Sequence, residues 1–189
     1  DGSCEALEYA MLQWKADKYT KLDSIRQALA DGDTALVRGS WLVECWRRGW
    51  VLLRRQDLPP EAIWDPRELG LTSSPEGAGA AVPIVAISHC WETREHPDPH
   101  GRQLQILGRM IEQRLTSKIP EPVRDLAVFL DWCSLYQPPW ASTEEEAAFQ
   151  RALRHVELWF THKRVSVWWQ TASCDGMLPP GRRGWPCFE

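Results

Sequence analysis

The stretch Pro83-Ile84-Val85-Ala86-Ile87-Ser88-His89-Cys90-Trp91-Glu92-Thr93-Arg94-Glu95-His96-Pro97-Asp98 decides how the chain is read. Its first part is an apolar run rich in β-branched residues, with the length of a strand buried on both faces. Its second part crowds hydroxyl, imidazole, thiol, indole and charged groups together, and Pro97 and Pro99 stop any regular continuation. In open α/β sheets, ligands lie beyond the carboxyl ends of the strands. A buried strand ending in such a burst of polar and aromatic groups is a candidate site before anything else is considered.

Downstream of this stretch, strand and helix signals alternate. Leu104, Leu107, Met110, Ile111 and Leu115 share one helical face, and Pro120 and Pro122 end the connector that follows. Leu126–Asp131 reads as a second strand ending in a polar group. A helix then starts behind a capping box, which Thr143 with Glu146 and Ser142 with Glu145 fit equally well. Its core face is expected to hold Phe149, Ala152, Leu153, Val156 and Trp159 or Phe160. A third strand is expected at about Arg164–Trp168. Strand-helix-strand-helix-strand order implies right-handed crossovers and a parallel sheet. Three strands are few for such a sheet. Either the sequence stops before the fold does, or a strand near Val51 completes it.

Upstream, residues 1–70 read as a helical N-terminal segment. Apolar stripes run through Ala6–Trp14 and Leu22–Leu29, and a third follows Ser40, a candidate N-cap, through Leu42, Val43, Cys45 and Trp46. Trp50-Val51-Leu52-Leu53 is a short strand or an extended connector, and a brief helix is expected at Glu61–Trp64. Residues 71–82, small and Gly/Ser/Pro-bearing, read as a linker. The division is thus 1–70, 71–82 and 83–189.

Composition bounds the function. Across 189 residues, 43% hydrophobic and 25% charged side chains are globular values that permit a packed core. A net charge of −4 argues against nucleic acid as a partner, which needs a basic surface. No apolar run approaches the ~20 residues of a membrane-spanning helix, and no signal peptide is visible. The six cysteines show no Cys-x-x-Cys pair, as expected of a reduced, cytoplasmic protein rather than a disulfide framework. Most of the twelve tryptophans are expected to serve packing.

A parallel sheet would bring the ends of all three strands to one edge: Ser88–Glu92, Asp131-Trp132-Cys133 and Trp169-Gln170. Carboxylate, imidazole, thiol and indole groups would then line one cleft. Ser88 and His89 are neighbours on a strand and point to opposite faces, which argues against a nucleophile pair. A thiol or zinc hydrolase built on His89, Cys90, His96 and His100 lacks a second ligand pair at metal spacing, so no metal is expected. Glu144, Glu145 and Glu146 are most simply a helix start favoured by the macrodipole. Asp131 either orients a ligand hydroxyl or caps the loop that follows it. Arg94 is the candidate for a substrate phosphate.

Ile84–Trp91 resembles the opening motif of the fungal heterokaryon-incompatibility (HET) domain, and Val128–Gln137 is similar to that family's second motif. HET domains in turn resemble Toll/interleukin-1 receptor (TIR) domains, in which a strand carrying Phe-Leu-Asp, here Phe129-Leu130-Asp131, precedes a Trp-Cys-x-x-Glu segment. Trp185-Pro186-Cys187-Phe188-Glu189 resembles the latter with one residue fewer between Cys and Glu. The resemblance covers about residues 83–189. His89 stands where HET domains usually have tyrosine, and Glu92 replaces the glycine after the tryptophan.

The resemblance implies a flavodoxin-like α/β domain with a parallel sheet and flanking helices, acting in signalling or self/non-self defence. It implies one of two activities. Some TIR domains cleave NAD⁺ at the nicotinamide–ribose bond with a glutamate from the third motif. That role would fall to Glu189, with Ser88, His89, Trp91, Arg94, Asp131 and Trp132 binding NAD⁺ as substrate rather than as a cofactor. A carboxylate suits the oxocarbenium character of that transition state. Other TIR domains are non-catalytic adaptors that form homo-oligomers, here through the sheet edge and the loop after the first strand.

Overall fold

Why the apolar runs are continuous becomes clear once the sheet is seen to be covered on both sides. The computed structural model describes residues 17–71 and 81–171. In chain order the elements are α1 (Leu22–Ala30), β1 (Val37–Arg38), α2 (Gly39–Arg47), β2 (Ile84–Ser88), α3 (Arg102–Thr116), β3 (Ala127–Phe129), the single turn α4 (Asp131–Ser134), α5 (Thr143–Leu153), α6 (Glu157–Thr161) and β4 (Val165–Trp169), with three short 3₁₀ turns between α2 and β2. The strands form one open sheet in the order β1-β3-β2-β4. β2 runs parallel to β3 and to β4, with Ile84 opposite both Ala127 and Val165.

Strand alternation sends successive side chains to opposite faces. Val85, Ile87, Val128 and Leu130 meet Leu42, Val43 and Cys45 of α2 and Leu104, Leu107 and Ile111 of α3 on one side. Ile84, Ala86, Ala127 and Phe129 meet Ile25 and Leu29 of α1, Trp64, Leu69, Ala152 and Trp159 on the other. Phe129 and Trp159 stack with centroids 5.2 Å apart and planes within 9°. Each fully buried Leu, Ile or Phe contributes about 1.5–3 kcal/mol of transfer free energy. The two layers therefore hold the sheet between helices.

The expected parallel sheet is corrected at one edge. β1 lies antiparallel to β3, with Val37 opposite Val128, so the sheet is mixed. The fourth strand is Val37–Arg38, and Val51–Arg54 is an extended connector rather than a strand. The segment before residue 71 is not all helix. It contributes β1, it places 3₁₀ turns at Pro60–Ala62 and Pro66–Leu69 where a helix at Glu61–Trp64 is expected, and it fills both cores. The physical reason is burial: Leu36 and Val37 face opposite cores at 1% and 0% exposure, and alternation does the rest.

Two caps come from across the fold. Ser40 sits inside the first turn of α2. Its backbone N–H and hydroxyl both bond to the Asp125 carboxylate, at 2.8 and 2.6 Å. Asp125 thus supplies an N-terminal cap from the connector just before β3. At α5 the Ser142 register wins: Ser142 Oγ accepts from the Glu145 N–H, and Glu145 accepts in return from the Ala141 N–H. Helices α2 and α3 approach closely because Gly108 has no side chain; a Cβ there would lie 2.6 Å from Trp46 Cβ.

Candidate functional site

The loop from His89 to Gly101 is built around a single glutamine. Gln103, buried in the first turn of α3, donates from Nε2 to Cys90 O at 2.8 Å and to Pro97 O at 2.7 Å. That pulls the two ends of the loop together, and the Glu92 N–H closes it by donating to Pro97 O. Asp98, 0% exposed, accepts the Leu104 N–H at 2.7 Å and so caps α3. His96 accepts the Asp98 N–H at Nδ1, which leaves Nε2–H to donate to Leu52 O at 3.1 Å.

His89 and Asp131 lie at the centre. With the Gln103 amide nitrogen committed to two carbonyls, its oxygen faces His89 Nδ1 at 2.9 Å. His89 Nε2 faces Asp131 Oδ1 at 3.0 Å. Both ring nitrogens thus face acceptors, the arrangement of an imidazolium. Burial works against its charge, but the attraction and hydrogen bond of Asp131, the bond to Gln103 and the nearby Asp98 carboxylate prevail and raise the His89 pKa. Burial likewise pushes Asp131 up, yet His89, the Trp91 indole and the Trp132 N–H hold it below its ordinary value. The pair is ionic and enclosed.

The Asp131 carboxylate is fully engaged. Oδ1 also accepts the Trp132 N–H at 2.7 Å, and Oδ2 accepts Trp91 Nε1–H at 3.0 Å. Its backbone oxygen accepts from buried Gln137, which is itself braced by Gln56. Of the two readings open in sequence, ligand hydroxyl or cap, the geometry shows a cap: Asp131 begins α4 and bonds the next N–H. Trp132 is buried, packs edge-on to Trp91 at 5.4 Å and donates its indole N–H to Leu52 O. His89 cannot serve Ser88 or Cys90 as a base while both its nitrogens are occupied.

The structure therefore brings His89, Trp91, Asp131 and Trp132 together, and binds them to one another rather than leaving them open. Ser88 stands at the end of β2, where its carbonyl accepts the Gln170 N–H. Arg94 is exposed in the loop after β2. Glu189, with the Trp185–Glu189 segment, lies outside the described residues. Sequence reasoning passed over Gln103 and Asp98. The signal for Gln103 was available: it continues the buried arc of Leu104, Leu107 and Ile111 at helical spacing, where a polar residue needs partners.

Among the described residues, four buried side-chain polar atoms remain without partners: Glu92 Oε1, Asp98 Oδ1, Trp140 Nε1 and Gln170 Nε2. A groove of about 490 Å³ runs between α1 and α6, lined by Lys21, Ser24, Gln27, Asp31 and His155, among others. Among the described residues, no three His, Cys, Asp or Glu side chains come together as a metal would require, and no helix is long and apolar enough to cross a membrane. No family model matches the chain, and neither a curated protein nor a solved structure matches it.

Proposed function

We propose that the chain is a TIR/HET-like signalling or defence module that works by associating with copies of itself through the outer edge of β4. The motif resemblance supports the class, and the contrast between the two sheet edges supports the mode. β1 is two residues long, bears the ion-paired Arg38 and is bridged by Ile63. Such an edge is blunted against further pairing. β4 pairs with β2 alone among the described residues, and its sequence Val-Ser-Val-Trp-Trp holds no proline, glycine or charge. Val167 is 44% exposed and Trp169 71% exposed. Antiparallel pairing of two β4 strands about Val167 would set Val165 against Trp169 in both directions, so a second copy is the self-complementary occupant. Sedimentation velocity over a concentration series tests this. Reversible dimers or larger species are expected, and Val167→Lys should return the monomer; a monomer at every concentration sinks the proposal.

A second reading, cleavage of NAD⁺ at the nicotinamide–ribose bond, draws support from the convergence of three parallel strand ends on one edge. In this reading Glu189 is the carboxylate, and Trp91 and Arg94 are the groups left to meet the nucleotide, because His89 and Asp131 are spent on each other. Nicotinamide release from NAD⁺ by the wild-type chain, lost in Glu189→Ala, is the expected result. Equal release from both would remove Glu189 from the reaction.

A further inference from the structure

The outer face of the α2–α3 pair carries cations that the fold does not use. Arg102, Gln105, Arg109 and Gln113 recur at helical spacing along α3, all exposed, on the side opposite buried Leu104, Leu107 and Ile111. Among the described residues, neither Arg102 nor Arg109 has an ion pair, a hydrogen bond or a ring contact. The acids of the two helices, Glu44 and Glu112, are taken by Arg48 and Arg47. Arg102 also stands in the first turn of α3, which holds no acid and where the helix dipole disfavours a cation. Each end of this face adds an exposed apolar side chain beside a cation. At one end Trp50, 46% exposed, lies under the Arg48 guanidinium, 4.9 Å from the ring centroid. Its carbonyl reaches the start of α3, 3.4 Å from where a Gly101 Cβ would stand. At the other end Ile119, 81% exposed, follows the last turn of α3 next to Lys118, which is likewise without a partner among the described residues.

We propose that this face docks on an anionic phospholipid surface. Charge complementarity asks for a partner rich in phosphate or carboxylate, which guanidinium groups bind in a bidentate way. The apolar tips ask for more. They flank a helix of 15 residues, about 22 Å long, and so call for an extended plane with an apolar layer beneath its charges. Indole rings settle at the headgroup level of a bilayer, and an aliphatic side chain enters the acyl boundary. No described helix is long and apolar enough to cross a membrane, so the contact is peripheral. With a net charge of −4 the chain as a whole is repelled by an anionic surface, and binding therefore requires this face to be turned toward it. The β4 edge lies at the rim of the sheet and is left free for a second copy.

The test is co-sedimentation of the full chain with vesicles of phosphatidylcholine, alone or mixed with phosphatidylserine, with soluble poly-glutamate as a second probe. Binding to the mixed vesicles is expected, weakened by added salt, with little binding to phosphatidylcholine alone. Arg102→Gln with Arg109→Gln should weaken it about thirtyfold. The same variant should unfold thermally at or above the wild-type midpoint, because Arg102 opposes the helix dipole, and a residue kept for the fold would not behave so. Trp50→Ala should weaken vesicle binding about tenfold and leave poly-glutamate unaffected. Should Trp50→Ala fail to fold, the arginine variant decides alone. Equal binding to both vesicles, no binding, unchanged binding of the arginine variant, or a preference for poly-glutamate over the mixed vesicles would overturn the proposal, the last pointing to an acidic protein instead.

Discussion

His89 Nε2 lies 3.0 Å from Asp131 Oδ1 in a setting where the histidine side chain is 3% exposed and the aspartate 12%. It joins the end of β2 to the start of α4, so the loop after β2 and the turn after β3 are locked as one unit. Removing one partner leaves the other charge buried and unpaired, which costs about 3–5 kcal/mol. Asp131→Ala should lower the urea unfolding free energy by that order, whereas His89→Gln with its partner changed to Asn should recover much of the loss. A double-mutant cycle by urea denaturation measures the coupling.

The same pair sets a pH dependence. His89 is raised above its ordinary 6.5, so its contribution is complete below that pH and fades as pH rises through the folded value. Asp131 is held below its ordinary 3.8, so its contribution is complete above that pH and fades as pH falls through the folded value. Stability from this pair is therefore greatest between about 4 and 6.5. Urea midpoints measured across pH should decline on the alkaline side, and His89→Gln should flatten that limb.

Gln103 supplies three hydrogen bonds to the loop from one side chain. Gln103→Leu preserves bulk but strands the His89 Nδ1–H and the Cys90 carbonyl and takes one of two donors from the Pro97 carbonyl. A loss of about 1–3 kcal/mol is expected. Hydrogen exchange should show the Glu92 amide, bonded to Pro97 O, losing protection before the amides of β2 do.

At the α2–α3 contact, Gly108→Ala places a methyl 2.6 Å from Trp46 Cβ, inside the distance any carbon pair tolerates. The helices must separate. A destabilisation of about 1–3 kcal/mol is expected although alanine is the better helix former. Thermal unfolding of Gly108→Ala, alone and with Trp46→Ala, checks it: the second change should relieve part of the first.

Ser142 and Thr143 offer the same cap chemistry in adjacent registers, and the structure uses Ser142. Ser142→Ala should cost about 1 kcal/mol and Thr143→Ala a few tenths. Equal losses in urea titrations would mean that the cap alternates between them.

Much of this fold was legible in the chain. β2 occupies Ile84–Ser88 as its β-branched run requires, α3 buries Leu104, Leu107 and Ile111 of its expected face but leaves Met110 exposed, and β4 is displaced by a single residue from expectation. These are local signals, set by side-chain periodicity and by proline and capping residues. β1 was not legible. Two residues carry no periodicity, and Val37–Arg38 becomes a strand only because β3 offers an unpaired edge beside it. The Asp125 cap of α2 escapes for the same reason, since its partner Ser40 lies across the fold.

The sequence by itself determined a parallel three-strand unit and named His89, Trp91 and Asp131 as residues that meet at its edge. It could not decide whether they meet as an open cleft or as a closed one, because that depends on the direction each polar atom faces. The tertiary structure decided it: Gln103, arriving from α3, turns its oxygen to His89, and Asp131 accepts from His89, the Trp91 indole and the Trp132 N–H. Buried polar groups pair wherever partners exist, since the interior offers no water to replace them. The groups first read as an open site are thus bound to one another.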